Sequence, residues 1–450
     1  MRFLPAWEGI TVSVIGLGYV GSCVAATLSE NGIQTVGVDN DAGLIEELLA
    51  GHCRFREPGL PELLGRWVGT PRLRVTTDYA AVTATDIVIV AVGTPVRPDG
   101  TLLDTQLRSV CEELSRRIRP GQLLIFKSTV PVGTMRSLVA PLLESSGLRC
   151  GQDFGLAFCP ERLSEGVALS ELSRFPIVIG GWCQDSVDGA AVFWQKSIGV
   201  EVVSCGSLEA AELVKLTNNW WVDHNIALAN ELAKICAKVD VDVLEVIAAA
   251  NSIPKGEASV NVLLPSVGVG GSCLTKDPWM LWRSGQELGV ELQTIPVGRA
   301  VNDSMPAFTV DLIIEELGKL DKDLASATIA VLGVAFKNNT GDLRSTPVAP
   351  VVAALRKAGA QVRLFDPLAE AEETERVFGL RQSASLEEAT RDADCVAVLA
   401  KHKQFDAVDF AGLRARTAQS CVIVDGRAYY SRDMIEALRE LGFSYRGIGR

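Results

Sequence analysis

Short runs of consecutive apolar residues, each about a strand long, punctuate the first two hundred positions. ITVSVIG, QTVGVDN, DIVIVAVGT, QLLIFKST, FGLAFCP and FPIVIGG show little apolar–polar alternation. Strands buried on both faces read this way, which predicts a mostly parallel sheet. Between the runs lie stretches of helical period. VGSCVAATLSENG is one, and Gly32 supplies a plausible C-cap. From about Ser207 to Asn251 the texture changes, and no Pro or Gly occurs. One long helix is predicted there, then a shorter one after about Asp240. Glu209 and Glu212 sit in the first turns, where the helix dipole favours acids. A helix that long spans between domains or forms a subunit interface. The segment NSIPKGEASVNVLLPSVGVGGS reads as an irregular loop. From about Ala327 the alternation of strands and helices returns in ATIAVLGVAF, VAPVVAALRKAG, AQVRLFDP, DCVAVLA and CVIVDG.

One motif converts this pattern into a fold class. VSVIGLGYVGSCVAATL contains Gly16-x-Gly18-x-x-Gly21 after a predicted strand and at the opening of a predicted helix. The next strand ends in Asp39, close to the spacing of about 20 residues expected of a dinucleotide fingerprint. Gly16 permits the tight turn, Gly18 lets backbone approach a pyrophosphate, and Gly21 lets helix and strand pack closely. The helix N-terminus receives the phosphates. Asp39 accepts from the adenosine ribose hydroxyls and repels a 2′-phosphate, so the expected cofactor is NAD. The fold expected is α/β: two Rossmann-like doubly wound domains joined by a central long-helix domain. Their limits are 1–206 (NAD-binding), 207–305 (central) and 320–450 (C-terminal).

Bulk properties narrow the partners. The chain has 450 residues and a net charge of −12, which argues against nucleic acid as the main ligand. Eleven cysteines are scattered without a CxxC, and there are only three histidines. No metal is expected, nor a disulfide framework. No signal peptide is read at the start. The apolar runs fall far short of the ~18 residues needed to span a bilayer. The expected setting is a reducing cytoplasm, with no membrane partner.

Two further places carry candidate chemistry. In AAELVKLTNNWW, Lys215 and Asn219 are four apart and share a helix face. The neighbours are mostly apolar, and a desolvated lysine serves as electrophile or base. In PSVGVGGSCLTKDP, Cys273 follows Gly268, Gly270 and Gly271 and precedes Lys276 and Asp277. The glycines allow close approach to a ligand, the lysine favours a thiolate, and Asp277 stands ready to orient water or a partner. Thr94 in VGTP and Thr129 in KSTVPVG lie at carboxyl ends of strands, where an open α/β sheet binds ligands.

Taken in order, VIGLGYVG, VGTP, KSTVPVG, CPERLSEG, ELVKLTNN, GVGGSCLTKD, VLGVAFKNNTGDLRSTP and VDGR run over nearly the whole chain. This series resembles the UDP-glucose/GDP-mannose dehydrogenase family. The resemblance implies a four-electron oxidation of the C6 alcohol of a UDP-sugar to the uronate, with two NAD⁺, for polysaccharide precursor synthesis. It implies Cys273 as nucleophile, passing through a thiohemiacetal and a thioester. Lys215 and Asn219 would stabilise the oxyanion, work of about 3–4 kcal/mol per donor. Asp277 would be the general base through water, with Glu161 and Thr129 assisting. By the same match NAD falls on Gly16, Gly18, Tyr19, Val20, Gly21, Asp39, Thr94, Thr129, Lys276 and Arg344. The sugar nucleotide falls on Glu161, Arg162, Leu163, Glu165, Lys215, Asn219, Leu264, Ser266, Gly268, Gly270, Lys337 and Arg427. A homodimer or higher homo-oligomer is implied as well.

Two departures stand out. Leu44 occupies a position where relatives commonly carry lysine, and Ser259 stands near the place of a loop arginine. For the sugar, Arg162 in CPERLSEG resembles the branch that oxidises UDP-N-acetylhexosamines, such as UDP-N-acetylmannosamine or UDP-N-acetylglucosamine. GGSC is similar to the UDP-glucose branch. The acetylated sugar is the expectation, with UDP-glucose 6-dehydrogenase the alternative. A two-electron hydroxyacid dehydrogenase of the 6-phosphogluconate type is a rival that needs no Cys273. A non-catalytic sugar-nucleotide sensor is another.

Overall fold

The computed structural model describes residues 2–3, 7–256 and 258–450. It comprises two compact units: Met1–Asn218 with Trp279–Glu291, and Asn219–Pro278 with Leu292–Arg450.

The first unit is built on β1 (Thr11–Ile15), β2 (Gln34–Val38), β3 (Leu73–Thr76), β4 (Ile87–Val90), β5 (Leu123–Phe126), β6 (Gly155–Phe158), β7 (Ile177–Gly181) and β8 (Val202–Ser204). Their order in the sheet is 3-2-1-4-5-6-7-8. The strands through β6 are parallel, with Ile15 paired to Val38 on one side and Val90 on the other. β7 reverses direction against β6, and β8 follows β7 in parallel. Winding changes direction between β1 and β4, which leaves a crevice at the carboxyl ends of the strands. Every residue of β4, β5 and β6 is buried, which is why they read as unbroken apolar runs. β3 and β8 are short and partly exposed, and for that reason lacked such a run. Apolar cores form around Leu28, Leu73 and Trp194 and around Val88, Phe126 and Phe158.

In the second unit the loop after the helices contains a small hairpin, β9 (Pro254–Lys255) with β10 (Ala258–Ser259). This corrects the reading of that segment as wholly irregular. Its sheet is formed by β11 (Thr328–Leu332), β12 (Gln361–Phe365), β13 (Cys395–Val398), β14 (Cys421–Asp425) and β15 (Phe443–Gly447). The order is 12-11-13-14-15, all parallel, with its switch between β11 and β13. β15 escaped the pattern because its residues alternate between buried and half-buried and include Ser444 and Arg446.

The long helix spans Leu208–Val239, and the shorter one Val243–Asn251. Ser207 caps the first, its Oγ accepting from the Ala210 N–H at 3.1 Å. Within the second unit this helix packs against Thr294–Lys319 through a buried polar network. Arg299 Nη1 donates to Asp223 Oδ1 at 2.7 Å, and Asn302 Nδ2 donates to the same oxygen at 2.8 Å. Asn230 donates to Asn302 Oδ1 and accepts the Ser266 N–H at 2.8 Å. The network therefore reaches the loop that leads to Cys273. Burial pushes the Asp223 carboxyl up, against the pull of Arg299. Arg299→Ala leaves that carboxylate buried without its cation. It is expected to cost about 3–5 kcal/mol, read as a lower urea midpoint; an unchanged midpoint refutes the network's importance.

Candidate active site

The dinucleotide turn follows β1. Gly16 has φ +86°, and a Cβ there would lie 2.8 Å from the Ala91 carbonyl oxygen. At Gly21 a Cβ would stand 1.8 Å from the Gly16 oxygen, so turn and helix touch. Gly18 is different: no protein atom lies within 4 Å of where its Cβ would be. It is also the N-cap of the helix Tyr19–Glu30, which has no side-chain cap and no acid in its first turn. The open space and the unclaimed N–H groups suit a pyrophosphate. Asp39, immediately after β2, accepts from the Leu17 N–H at 2.7 Å and the Asp41 N–H at 2.9 Å. It remains half-exposed, with lone pairs left for ribose hydroxyls. These residues fit NAD. Leu44 is buried in the adjoining core, so it turns inward and offers no polar contact.

Tyr19 lies in the first turn, but its hydroxyl is committed to Glu57. Glu57 is 2 % exposed and also accepts the Gly166 N–H at 2.7 Å and the Leu169 N–H at 3.3 Å. Only the backbone of Tyr19 is left to serve a cofactor. Beyond β5, Lys127 is buried, with Nζ 3.2 Å from Glu161 Oε2 and 5.0 Å from the Trp194 ring centre. Glu161 Oε1 accepts the N–H groups of Arg162 at 2.7 Å and Leu163 at 3.0 Å. Glu171 takes that of Ser164 at 2.5 Å, and the Arg162 guanidinium donates to the Pro176 carbonyl. Carboxylates thus hold the loop 161–166 along its length, and Glu165 is half-buried within it. Thr94 is buried and Thr129 half-buried.

Glu212 is fully buried on the long helix and accepts the N–H groups of Gly133 at 2.5 Å and Met135 at 2.8 Å. Burial pushes its carboxyl up to about 7, while the two N–H donors pull it back. It pins the turn after Thr129. One helical turn on, Lys215 is 8 % exposed, and among the described residues no hydrogen bond or ion pair engages its ammonium. An ammonium so desolvated calls for an anion or a developing oxyanion.

In the second unit Asn219 Nδ2 donates to Asp277 Oδ2 at 2.5 Å, and Lys276 Nζ lies 2.5 Å from Asp277 Oδ1. Asp277 is fully buried, and its N–H donates to the Cys273 carbonyl at 2.8 Å. A single turn of chain thus joins Cys273, Lys276 and Asp277, with Asn219 meeting them from the long helix. Of the eleven cysteines, all free, Cys273 is the one that is exposed. Burial pushes others out of reach of ionisation, Cys159 to about 11 and Cys111 and Cys421 to about 12.

The glycines before Cys273 serve the protein's own packing. A Cβ on Gly270 would lie 2.5 Å from the Ser345 oxygen, and one on Gly271 would lie 2.7 Å from the Phe336 ring. Gly268, at φ +137°, abuts Pro347. On the side where a Cβ would stand, these glycines are seated closely on residues 336–347. Ser266 is buried, its Oγ donating to the Gly268 carbonyl at 2.8 Å, and Leu264 is exposed. Ser259 lies exposed on the hairpin. Lys337 projects from the loop after β11 and is exposed. The Arg344 guanidinium pairs with Asp342. Arg427 donates from Nε to the Leu399 carbonyl at 2.8 Å and from Nη2 to that of Phe336 at 2.7 Å. Burial lowers its guanidinium to about 10. It clips two loops together.

In the sequence Lys127 reads only as part of the strand-end KSTVPVG, and Glu212 only as an acid suited to the helix dipole. Glu57 carries no signal there, because it acts on backbone far away in sequence.

Comparison with known proteins gives a consistent assignment. Family models of the UDP-glucose/GDP-mannose dehydrogenases match in three parts: the NAD binding domain over residues 10–196, the central domain over 209–304 and the UDP binding domain over 330–432. The chain is 32 % identical over 442 residues to a UDP-N-acetyl-D-mannosamine dehydrogenase of Pyrococcus horikoshii, covering 98 % of this chain and 99 % of that protein. It is 34 % identical over 434 residues to a UDP-glucose 6-dehydrogenase of Haloferax volcanii, covering 94 % and 97 %. The solved structure of a UDP-N-acetylmannosamine dehydrogenase from Pyrococcus horikoshii superposes with a TM-score of 0.86 at 31 % identity, over 98 % of this chain and 99 % of that one.

The turn geometry yields a direct test. Gly21→Ala drives a methyl into the Gly16 carbonyl and is expected to weaken NAD⁺ binding by at least about 100-fold, an effect of a few kcal/mol. Titration of NAD⁺ by calorimetry reads this out, and binding at wild-type strength would contradict the assignment.

Proposed function

This chain belongs to the UDP-glucose/GDP-mannose dehydrogenase family of NAD-dependent UDP-sugar oxidoreductases, and we propose that its substrate is a UDP-N-acetylhexosamine, UDP-N-acetylmannosamine first. The observation that carries the chemistry is the exposed Cys273 beside the buried Asp277, which Lys276 and Asn219 hold from two sides. Gly16, Gly18, Gly21 and Asp39 would hold NAD⁺, and two NAD⁺ in succession would supply the hydride acceptors for the two oxidations. In the first, the proton of the C6 hydroxyl passes to water positioned by Asp277, and C6 becomes an aldehyde. The Cys273 thiolate then adds to C6, and the carbonyl oxygen becomes the oxyanion of a thiohemiacetal. Lys215 has no anion of its own among the described residues, so its ammonium is free to meet that charge. Asn219 spends one Nδ2 hydrogen on Asp277 and retains the other for the same oxygen. Loss of the second hydride leaves a thioester. Water activated by Asp277, with Glu161 and Thr129 assisting, releases the uronate and restores the thiol. A covalent link keeps C6 in place between the two oxidations.

The acetylated sugar is supported by Arg162 in the loop that Glu161, Glu171 and Glu57 hold, and by the likeness to the Pyrococcus enzyme over the whole chain. UDP-glucose is the second reading. GGSC and the likeness to the Haloferax enzyme favour it.

A homodimer is part of the same proposal, and the long helix supports it. Trp221, Leu228 and Ile235 are spaced by seven, and each is about half-exposed or more, at 47 %, 51 % and 60 %. A seven-residue spacing puts them on one stripe, and an unpartnered apolar stripe of this kind calls for another surface. Eleven free thiols suit a reducing cytoplasm. No helix among the described residues is long and apolar enough to cross a membrane.

Two measurements test these readings. Supplied with UDP-N-acetylmannosamine, UDP-N-acetylglucosamine, UDP-glucose and GDP-mannose in turn, the enzyme is expected to turn over the first best and to form two NADH per sugar oxidised. Cys273→Ala should abolish net oxidation and spare NAD⁺ binding. One NADH per sugar, or turnover surviving the substitution, refutes the cysteine mechanism. In light scattering, Leu228→Glu with Ile235→Glu should halve the particle mass; an unchanged mass rules out this stripe as the interface.

A further inference from the structure

Asp39 and Asp366 hold the same place in the two units, each directly after the second strand of its sheet. Their surroundings differ. Asp39 is half-exposed and accepts two N–H groups. Asp366 is 1 % exposed and accepts four, from Val334 at 2.8 Å, Ala335 at 3.3 Å, Leu368 at 2.8 Å and Ala369 at 3.0 Å. A fifth contact comes from His402 Nε2, at 2.9 Å. No capacity remains for a ribose hydroxyl. In the second unit the acid has become an anchor.

The object anchored is identified by the other side of the imidazole. His402, fully buried, accepts the Asn339 N–H on Nδ1 at 2.9 Å. A backbone N–H only donates, so Nδ1 carries no proton and Nε2 donates to Asp366. Asn339 has φ +58°, a left-handed conformation that asparagine adopts more readily than other non-glycine residues. Its Oδ1 accepts the Lys403 N–H at 2.8 Å, and Asn338 Oδ1 accepts that of Lys401 at 2.9 Å. The chain around His402 thereby grips the loop 336–342 at three points, and this loop carries the exposed Lys337.

We propose that His402 is a positioning residue for the nucleoside diphosphate: its neutral ring, standing between Asp366 and the Asn339 N–H, holds the loop 336–342 in the shape that presents Lys337 to the diphosphate. This rests on the reading above that Lys337 contacts the UDP moiety. Without the ring acceptor, the part-buried bond that fixes the Asn339 N–H to the buried imidazole is lost, and the loop is released at that point. The loop then samples other shapes, and binding carries the cost of ordering it again.

The test uses the full-length enzyme with UDP alone as the probe, in calorimetry, and NAD⁺ as the control. His402→Ala is expected to weaken UDP binding by about tenfold, the loss of one part-buried hydrogen bond that orders the loop, and to leave NAD⁺ binding unchanged. In turnover it should raise KM for the UDP-sugar and spare kcat. His402→Asn places an amide oxygen where Nδ1 stands and should keep UDP affinity within about threefold of wild type, because the acceptor survives. His402→Gln retains only the Nε2 side and should behave like alanine. If the alanine variant does not fold, the asparagine and glutamine variants decide the matter, and equal loss in both overturns the proposal. Wild-type UDP affinity in His402→Ala overturns it too, provided Lys337→Ala weakens UDP binding. If Lys337→Ala has no effect, the underlying assignment of the loop fails, and the proposal fails with it.

Discussion

A carboxylate taken out of water has to be given donors, and the loops of this protein are shaped by that requirement. Glu161 gathers Lys127 and two backbone N–H groups at the end of β5 and β6. Glu212 gathers two N–H groups of the turn after Thr129. Asp277 takes Asn219 and Lys276, and Asp425 takes the N–H groups of Arg427, Tyr429 and Tyr430 with the Tyr445 hydroxyl. In each case a loop at or near a candidate site is held by a buried or half-buried acid and its donors. Irregular backbone becomes rigid without secondary structure, because each carboxylate offers several acceptor sites to N–H groups that a loop would otherwise leave to solvent.

The two glycine-rich stretches show that one residue type answers different constraints. Around the dinucleotide turn, Gly16 and Gly21 yield space to the protein's own backbone, and Gly18 alone faces open space. Before Cys273, the three glycines all yield space to neighbouring chain. The loop before Cys273 is therefore seated firmly on residues 336–347, and its thiol is held out from a fixed base. That arrangement suits the role of nucleophile proposed for Cys273.

Burial separates Cys273 from the other ten cysteines more sharply than charge does. Most of the others are small apolar side chains in the cores, with thiols that burial keeps protonated. Only Cys273 combines access to solvent with a cation and a buried acid within one turn of chain.

The sequence by itself determined the architecture and the family. Unbroken apolar runs, the Gly16–Gly21 fingerprint with Asp39, the uninterrupted helix from Leu208 and the order of the short motifs were all local signals. Local signals survive in a string of letters because they depend on neighbours a few residues apart. Reading failed where the signal was weak or non-local. β3, β8 and β15 are short or carry polar residues, and β9 and β10 are two residues each. Glu57, Glu212 and Asp366 pair with groups far away along the chain, and nothing in their own vicinity announces those partners. The tertiary structure alone decided which of eleven thiols is exposed and that the second unit's strand-end acid is saturated. The physical reason is common to all of these: burial and hydrogen-bond satisfaction are properties of a packed neighbourhood, and that neighbourhood exists only once distant segments have met.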